Sequence, residues 1–289
     1  MQPTGYAHRL GVVTVAVVVP TYRPDATELL SLVTSLQATG LPILVTDDAS
    51  PVTFDPALRA VEALGVTVIR HERNAGIARG LNEGLGFAFD AGAAWLLTVD
   101  QDTVLAADYV DSLLPWAVAG VGVVAAEHIA DASGSIGYPS RLVDGQLITE
   151  EVMQTGSLWS VDVMKSVGGF DESLGIDAVD AAACLRIREK GLRVVLAPGI
   201  SLSHHLGNTR QVQIFGKTVL ATGHSATRRT TMVRNRLKLA PAEFRQSPVH
   251  AIRTLRRVAV NVALGALVEE DRILNIRGSL KGLLPRKRL

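Results

Sequence analysis

The strongest constraint on the fold is one apolar run near the start of the chain. Residues 12–19 read VVTVAVVV, and Pro20 ends the run. A strand built from such residues has no polar face and must be buried on both sides. Strands of this kind occur in the middle of parallel sheets that helices cover on both faces. We therefore expect an α/β protein.

The rest of the first hundred residues alternates strand patterns with helix patterns. Segments 42–47, 66–70 and 95–100 are typical of strands, and the helical patterns 26–38, 58–64 and 77–89 lie between them. This order predicts an open, mainly parallel sheet with helices on both faces. Ligands of such sheets bind beyond the carboxyl ends of the strands.

The second half has fewer regular patterns. We expect strands at 156–161 and 193–196, helices at 162–167 and 179–189, and helices again from residue 205 to the end. A change to a basic, helical composition near residue 210 predicts two parts, a domain at 1–210 and a C-terminal segment at 211–289.

Composition and missing motifs exclude several classes of protein. The single cysteine, Cys184, rules out a disulfide framework and a CxxC zinc site. Neither GxGxxG after the first strand nor GxxxxGK[ST] occurs, which argues against a dinucleotide-dependent dehydrogenase and a P-loop enzyme. No signal peptide is recognised and the apolar runs are too short to span a bilayer, so we expect a cytoplasmic protein.

The net charge of +1 conceals a basic C-terminal segment. Residues 228–289 contain fifteen Lys or Arg and only four acids. Three interpretations stay open: a solvated helical surface, contact with anionic lipid headgroups, or contact with a phosphorylated ligand. An aromatic content of 4% argues against nucleic acid as a partner, because few side chains are available for base stacking.

Polar residues follow the expected strands at the edge where a ligand would bind. Asp100 and Asp102 follow the fourth strand, and two such carboxylates suit a hard cation such as Mg²⁺ or Mn²⁺. Asp47 ends the second strand, where it can accept hydrogen bonds from a base or a ribose. His204 offers a third metal ligand, and Asp180 offers a carboxylate suited to general-base catalysis. Each of these residues also has a purely structural interpretation as a turn or helix cap.

Taken together, the segments VVVPTYRPD, VTDDAS, RNAGIARGLNEGL and LLTVDQDT resemble the family 2 inverting glycosyltransferases of GT-A fold. The later segments TGSLWSVD, GGFDE, HSATRRTTMVRN and GSLKGLLPRKRL resemble the bacterial rhamnosyltransferase-like branch of that family. The resemblance implies a nucleotide-sugar half at about 12–105 and an acceptor half at about 106–210. It also implies transfer of a sugar, first of all rhamnose from dTDP-rhamnose, to a glycan or polyprenyl-linked acceptor in cell-envelope polysaccharide synthesis.

The resemblance also implies roles for single residues. Asp180 would be the catalytic base, and Asp102, His204 and Asp100 would hold Mg²⁺ or Mn²⁺. The dTDP- or UDP-sugar donor would contact Pro20, Thr21, Tyr22, Asp47, Asn74, Gly76, Asn82 and Asp100. Acceptor or phosphate contacts would come from Gly156, Ser157, Trp159, Arg228, Arg229 and Arg234.

The sequence departs from the branch pattern in two segments: Ala182 replaces a second acid, and Thr230-Thr231 replaces a tyrosine pair. A catalytically silent glycan-binding protein and a sugar nucleotidyltransferase are the alternative functions. The basic segment would either rest on the inner face of the cell membrane or pack on protein. A homo-oligomer is one of the open alternatives for the assembly.

Overall fold

The computed structural model describes residues 14–131, 134–204, 210–214, 217–221, 225–267 and 272–283. In its first half, strands alternate with helices as the sequence predicts. The elements are β1 (Val15–Thr21), α1 (Ala26–Gln37), β2 (Ile43–Asp47), α2 (Asp55–Ala63), β3 (Thr67–Arg70), α3 (Ile77–Asp90) and β4 (Trp95–Thr98).

The second half adds strands that the sequence patterns do not predict, mainly between residues 121 and 149. The elements are β5 (Thr103–Val104), α4 (Tyr109–Leu113), β6 (Val121–Asp131), β7 (Gly134–Gly137), β8 (Ser140–Val143), β9 (Gln146–Thr149), β10 (Ser157–Ser160), α5 (Val161–Ser166), α6 (Val179–Glu189) and β11 (Arg193–His204). The C-terminal part contains β12 (Arg210–Ile214), β13 (Lys217–Ala221), α7 (Ala226–Gln246), α8 (Pro248–Leu267) and α9 (Arg272–Gly282).

One sheet of eleven strands forms the centre of the fold. Its main order is β3-β2-β1-β4-β10-β6-β11-β9-β8, with β5 paired to β11 and β7 paired to β6. The first four strands of this order are parallel. The strand β10 runs antiparallel to both of its neighbours, whereas β11 is parallel to β6. The predicted class, a mainly parallel sheet with helices on both faces, is confirmed.

The central run forms β1, and its alternate side chains face opposite sides of the sheet. Val15, Val17 and Val19 pack in one core with the buried faces of α1 and α2. Ala16 and Val18 pack in a second core with α3, α5 and α6. A run without a polar face thus fills two cores at once, which is why β1 lies in the middle of the sheet.

The pairing register brings the functional ends of the strands together. Thr21 at the end of β1 pairs with Asp47 at the end of β2. The first residue of β10, Ser157, pairs with Thr98, so the turn before β10 lies beside the residues that follow β4. The last residue of β11, His204, pairs with Thr103. One edge of the sheet therefore collects residues from five segments that are far apart in the sequence.

The expectation of helices directly after residue 205 is wrong. The chain instead forms the hairpin of β12 and β13, and helices begin at Ala226. The segment 210–214 alternates polar and apolar residues, and that period of two fits a strand rather than a helix. The division of the chain near residue 210 remains a prediction.

Candidate functional site

A cluster of two acids and a histidine lies at the carboxyl edge of the sheet. The Nε2 atom of His204 is 3.7 Å from Oδ2 of Asp100, and its Nδ1 atom is 3.7 Å from Oδ1 of Asp102. One ligand atom from each side chain lies within 4.8 Å of the others. The strand end after β4 supplies both acids, and the end of β11 supplies the histidine. Two carboxylates and an imidazole in this arrangement can hold one divalent cation.

Threonine and glutamine side chains orient this cluster. The hydroxyl of Thr103 lies 3.0 Å from Nδ1 of His204 and 2.9 Å from the hydroxyl of Thr155. Thr155 in turn accepts a hydrogen bond from the backbone N–H of Asp100 at 2.9 Å, and the amide of Gln154 donates to the Asp100 carboxylate. Sequence reasoning missed Gln154 and Thr155, although their place in the QTGS segment just before β10 is the signal that could have found them.

The pKa of Asp100 depends on charged groups inside and outside this cluster. Burial and the neighbouring Asp102 carboxylate raise the pKa of Asp100 to about 7. Asp180 adds a further negative charge that acts on Asp100, and Arg228 adds an opposing positive one. Asp180 and Arg228 thus lie close enough to Asp100 to influence its ionisation. A bound cation would relieve the repulsion between the two acids.

The candidate base Asp180 lies in the first turn of α6. Its carboxylate accepts a hydrogen bond from the backbone N–H of Ala181 at 2.7 Å. Burial raises the pKa of Asp180, and the positive charge of Arg236 opposes this effect. Arg236 is held by Glu151, whose Oε2 atom accepts from Nη1 at 2.6 Å. Neither Arg236 nor Glu151 was singled out from the sequence.

A second carboxylate, Asp177, lies just before α6. Its Oδ1 atom is 3.3 Å from Nε of Arg228, and burial raises its pKa. The side-chain amide of Asn235 donates to the backbone carbonyl of Asp177 at 2.7 Å. α7 therefore places Arg228 beside Asp177, and the contact of Arg228 with a phosphate or acceptor stays a prediction.

The turn after β1 lies beside the turn that follows β4. The backbone N–H of Tyr22 donates to the side chain of Gln101 at 2.9 Å, and Pro20 and Thr21 form the end of the strand. Asp47 is buried, and its carboxylate accepts bonds from the N–H and hydroxyl of Ser50 at 2.9 and 2.6 Å. In this position Asp47 shapes the loop after β2, and direct contact with a base stays a prediction.

The loop after β3 is organised by Asp48, another residue that the sequence reasoning missed. Its carboxylate accepts from the N–H groups of Ala75 and Gly76 at 2.7 and 2.8 Å. The side chain of the exposed Asn74 donates to the Asp48 carbonyl at 3.2 Å. Gly76 has a φ angle of 90°, and a Cβ atom there would meet the backbone of Gly175 at 2.7 Å. Glycine is therefore required where this loop passes the segment before α6.

The side chain of Asn82 is hydrogen-bonded to the GGFDE turn. Its amide oxygen accepts from the backbone N–H of Phe170 at 2.7 Å, and its amide nitrogen donates to the Phe170 carbonyl at 3.0 Å and to Glu172 at 2.8 Å. Both ends of the amide are committed to the GGFDE turn. Asn82 therefore joins α3 to that turn, and its contact with the donor stays a prediction.

The predicted acceptor residues around β10 are core residues. Ser157 and Trp159 are fully buried, and the indole N–H of Trp159 donates to the hydroxyl of Thr98 at 3.0 Å. Gly156 is also buried, and its φ angle of 69° and the adjacent Tyr109 hydroxyl leave no room for a side chain. All three residues are enclosed by the sheet and the elements that pack on it, and their predicted contact with an acceptor stays a prediction.

The predicted arginines of α7 have different surroundings. Arg229 is buried and donates to the backbone carbonyl of Asn261 at 2.9 Å, so it joins α7 to α8, and its contact with a phosphate stays a prediction. Arg234 is half-buried, and its predicted contact with a phosphate or acceptor stays a prediction. A charge contact with the acids of the site is seen for Arg228, through Asp177.

Residues 16–156 match the sequence profile of the family described as Glycosyl transferase family 2. Over these residues the chain matches a family 2 glycosyltransferase domain. The match runs from β1 to the turn before β10 and includes Asp100 and Asp102. A dTDP-rhamnosyl transferase, RfbF of Shigella flexneri, is 27% identical over 265 residues, which is 87% of this chain and 86% of the relative.

Solved glycosyltransferase structures share the fold. A mannosyltransferase from Pyrobaculum calidifontis, in complex with GDP-Man and Mn²⁺, superposes with a TM-score of 0.58 over 93% of this chain and 86% of its own, at 17% identity. Staphylococcus aureus TarS 1–349 in complex with UDP-GlcNAc gives a TM-score of 0.56 over 93% of this chain and 79% of its own, at 16% identity. The family 2 domain therefore has the GT-A fold, in which the acidic cluster lies at the carboxyl edge of the parallel strands.

Proposed function

We propose that this chain is a metal-dependent, inverting glycosyltransferase that takes a sugar from a nucleotide-diphosphosugar. The observation that carries the proposal is the convergence of Asp100, Asp102 and His204, with the charge of Asp180 acting on the same cluster. dTDP-rhamnose is the first candidate donor, because the relative from Shigella flexneri is named as a dTDP-rhamnosyl transferase. The proposed acceptor is a glycan or a lipid-linked saccharide of the cell envelope.

The acidic cluster would hold Mg²⁺ or Mn²⁺ through Asp100, Asp102 and His204. Such a cation would supply positive charge that stabilises the diphosphate as it leaves. The chain itself fixes two of the three ligands, because Gln154, Thr103 and Thr155 hold Asp100 and His204 in place.

Asp180 would act as the general base. Its carboxylate takes the proton of the acceptor hydroxyl while that oxygen forms a bond to the anomeric carbon. The bond between the anomeric carbon and the diphosphate oxygen breaks on the opposite face, so the configuration inverts. Arg236 supports the ionised form of Asp180 by placing a positive charge near it. The leaving diphosphate needs no proton, unlike the alcohol that a glycoside hydrolase releases.

A panel of donors tests the proposal. Release of nucleotide diphosphate is measured with dTDP-rhamnose, UDP-glucose and GDP-mannose, each with Mn²⁺ and with chelator, in the presence of acceptor glycans. The variant Asp102→Asn should lower turnover by about a hundredfold or more, since it removes a ligand of the cation. Asp108→Asn is a matched control, because Asp108 is exposed and its side chain caps no helix. Full activity of Asp102→Asn, or turnover that is unaffected by chelator, would refute the metal site.

A further inference from the structure

The last helix, α9, packs on the protein with its small residues. Its buried face consists of Asn275, Gly278, Ser279 and Gly282, which recur at the spacing of one helix face. A Cβ atom at Gly278 would lie 2.3 Å from the carbonyl oxygen of Ala226, and one at Gly282 would lie 2.7 Å from that of Thr230. The close approach of α7 and α9 therefore fixes which face of α9 is turned inward.

The opposite face of α9 is apolar and exposed. We call Ile273, Ile276, Leu280 and Leu283 the α9 outer stripe. These side chains are 68%, 41%, 57% and 59% exposed. They too recur at helical spacing and line one side of the helix. A rotation that buried the stripe would drive it into the gap that only glycines now fit. An exposed apolar face of this kind marks a contact surface, because water disfavours it.

Basic residues border the α9 outer stripe. Arg272, Arg277 and Lys281 are exposed, and α9 contains no acid. The neighbouring helix α8 contacts α9 and also lacks acids. Its exposed residues include Ile252 and Arg256. Both helices thus combine exposed aliphatic side chains with exposed positive charge.

We propose that the α9 outer stripe and its basic border form a docking surface for an anionic lipid bilayer. Helices with an aliphatic face and cationic flanks lie in the plane of a membrane interface, with the apolar face among the acyl chains and the cations at the headgroups. No described helix of the chain is both long and apolar enough to cross a bilayer, so the surface would rest on the membrane. This inference goes beyond the sugar transfer proposed above and does not depend on it.

A second copy of the chain fits the same surface less well. A two-fold interface places the same patch on both partners. Arg277 and Lys281 would then approach their own copies, and neither α8 nor α9 offers an acid to pair with them. Residues 269–271 (Glu-Glu-Asp) precede α9 in the sequence and lie outside the described residues. Along the two described helices, repulsion between like charges opposes that arrangement, whereas anionic headgroups would supply a countercharge.

Sedimentation with vesicles tests the proposal. The full chain is mixed with vesicles of phosphatidylcholine alone or with about one third phosphatidylglycerol, in the absence of any sugar donor. We expect binding to the anionic vesicles at about 0.1 M salt, and loss of most binding at about 0.5 M salt. Ile276→Ser with Leu280→Ser, and separately Arg277→Gln with Lys281→Gln, should each weaken binding about tenfold or more.

The control variant lies on an exposed strand, β8, instead of on a helix. Arg141→Gln with Leu142→Ser removes one exposed cation and one side chain that is 72% exposed from β8. It should bind like the wild type, and the thermal unfolding of all variants should match the wild type, since the changed residues are exposed. Equal binding by the stripe variants, or equal binding to neutral vesicles, would overturn the proposal. A wild-type dimer that the stripe variant converts to a monomer, without vesicle binding, would assign the surface to a second copy.

Because no donor is present in this assay, its failure leaves the transferase proposal untouched. Failure of the donor panel likewise leaves the membrane surface untouched.

Discussion

The pair Arg236 and Glu151 offers a test of the proposed base that changes neither Asp180 nor the metal ligands. Arg236 carries the largest opposing influence on the raised pKa of Asp180, and Glu151 acts in the other direction. Arg236→Gln should therefore raise the pKa of Asp180 further, and Glu151→Gln should lower it. A base must be ionised to act, so activity on the acid side falls as its pKa rises.

The expected result is a pair of opposite shifts in the pH profile of kcat/KM. The acid limb should move to higher pH in Arg236→Gln and to lower pH in Glu151→Gln. Below the pKa, each unit of upward shift lowers the activity about tenfold, which corresponds to about 1.4 kcal/mol. In the double variant two opposite charges leave together, so the limb should lie between those of the single variants.

The same variants should differ in stability. The side chains of Arg236 and Glu151 are only 25% and 14% exposed, and Nη1 of Arg236 lies 2.6 Å from Oε2 of Glu151. Removal of one member of a buried pair costs about 3–5 kcal/mol. Arg257 still lies 3.6 Å from Glu151 in Arg236→Gln, so we expect a loss near the lower end, about 3 kcal/mol.

The assays are initial rates of nucleotide diphosphate release from pH 5 to 9 and unfolding in urea. The double variant should recover part of the lost stability, because no buried charge is then left alone. If both single variants shift the acid limb in the same direction, or leave it unchanged, Arg236 does not support the base and the assignment of Asp180 fails.

Three further predictions concern residues outside the reacting groups. Asn82→Ala should lower the free energy of unfolding by about 1–3 kcal/mol in urea titrations, because it leaves the part-buried backbone N–H and carbonyl of Phe170 without their partner, while the KM for the donor stays within about twofold; a donor KM raised tenfold at unchanged stability would favour the binding role instead. Trp159→Ala should lower the free energy of unfolding by about 3–5 kcal/mol, because a buried ring is lost. Thermal or urea unfolding measures this change, and an unchanged stability would contradict the assignment of Trp159 to the core. His71 is held between Asp48 and Glu83 at 3.0 and 2.8 Å, and against the effect of burial these carboxylates raise its pKa above 6.5. The ion pairs of His71 therefore stabilise the fold fully below about pH 6.5, and this contribution is lost as the pH rises through the raised pKa. Between pH 6 and pH 9 the free energy of unfolding should fall less in His71→Gln than in the wild type. An equal fall in both proteins would refute this coupling.

The sequence was sufficient for the parallel half of the fold. The two-sided apolar run of β1 and the helical spacing of Leu29, Leu32, Val33 and Leu36 are local patterns, and the structure confirms the elements that they predict. The β-strands between residues 121 and 149 were missed because several are short and exposed, as β7 and β8 show. Their pairing depends on neighbours that no local pattern reveals.

The same contrast holds for the candidate site. Asp100 and Asp102 follow a strand end directly, so position alone marked them, and the prediction that His204 lies near them agrees with the observed cluster. Asn82, Gly156, Ser157 and Trp159 were assigned from motif positions, but their side chains or backbone support the fold. A motif indicates only which residue type occupies a position. The contacts of the side chain show whether that residue packs in the core.

Binding of Mn²⁺ tests the central claim most directly. Electron paramagnetic resonance of free Mn²⁺ is followed as wild-type protein is added together with dTDP, and again with Asp102→Asn and the Asp108→Asn control. We predict that the wild type and the control bind one Mn²⁺ per chain and that Asp102→Asn loses this binding by about tenfold or more. Equal Mn²⁺ binding by Asp102→Asn would contradict a cation held between Asp100, Asp102 and His204.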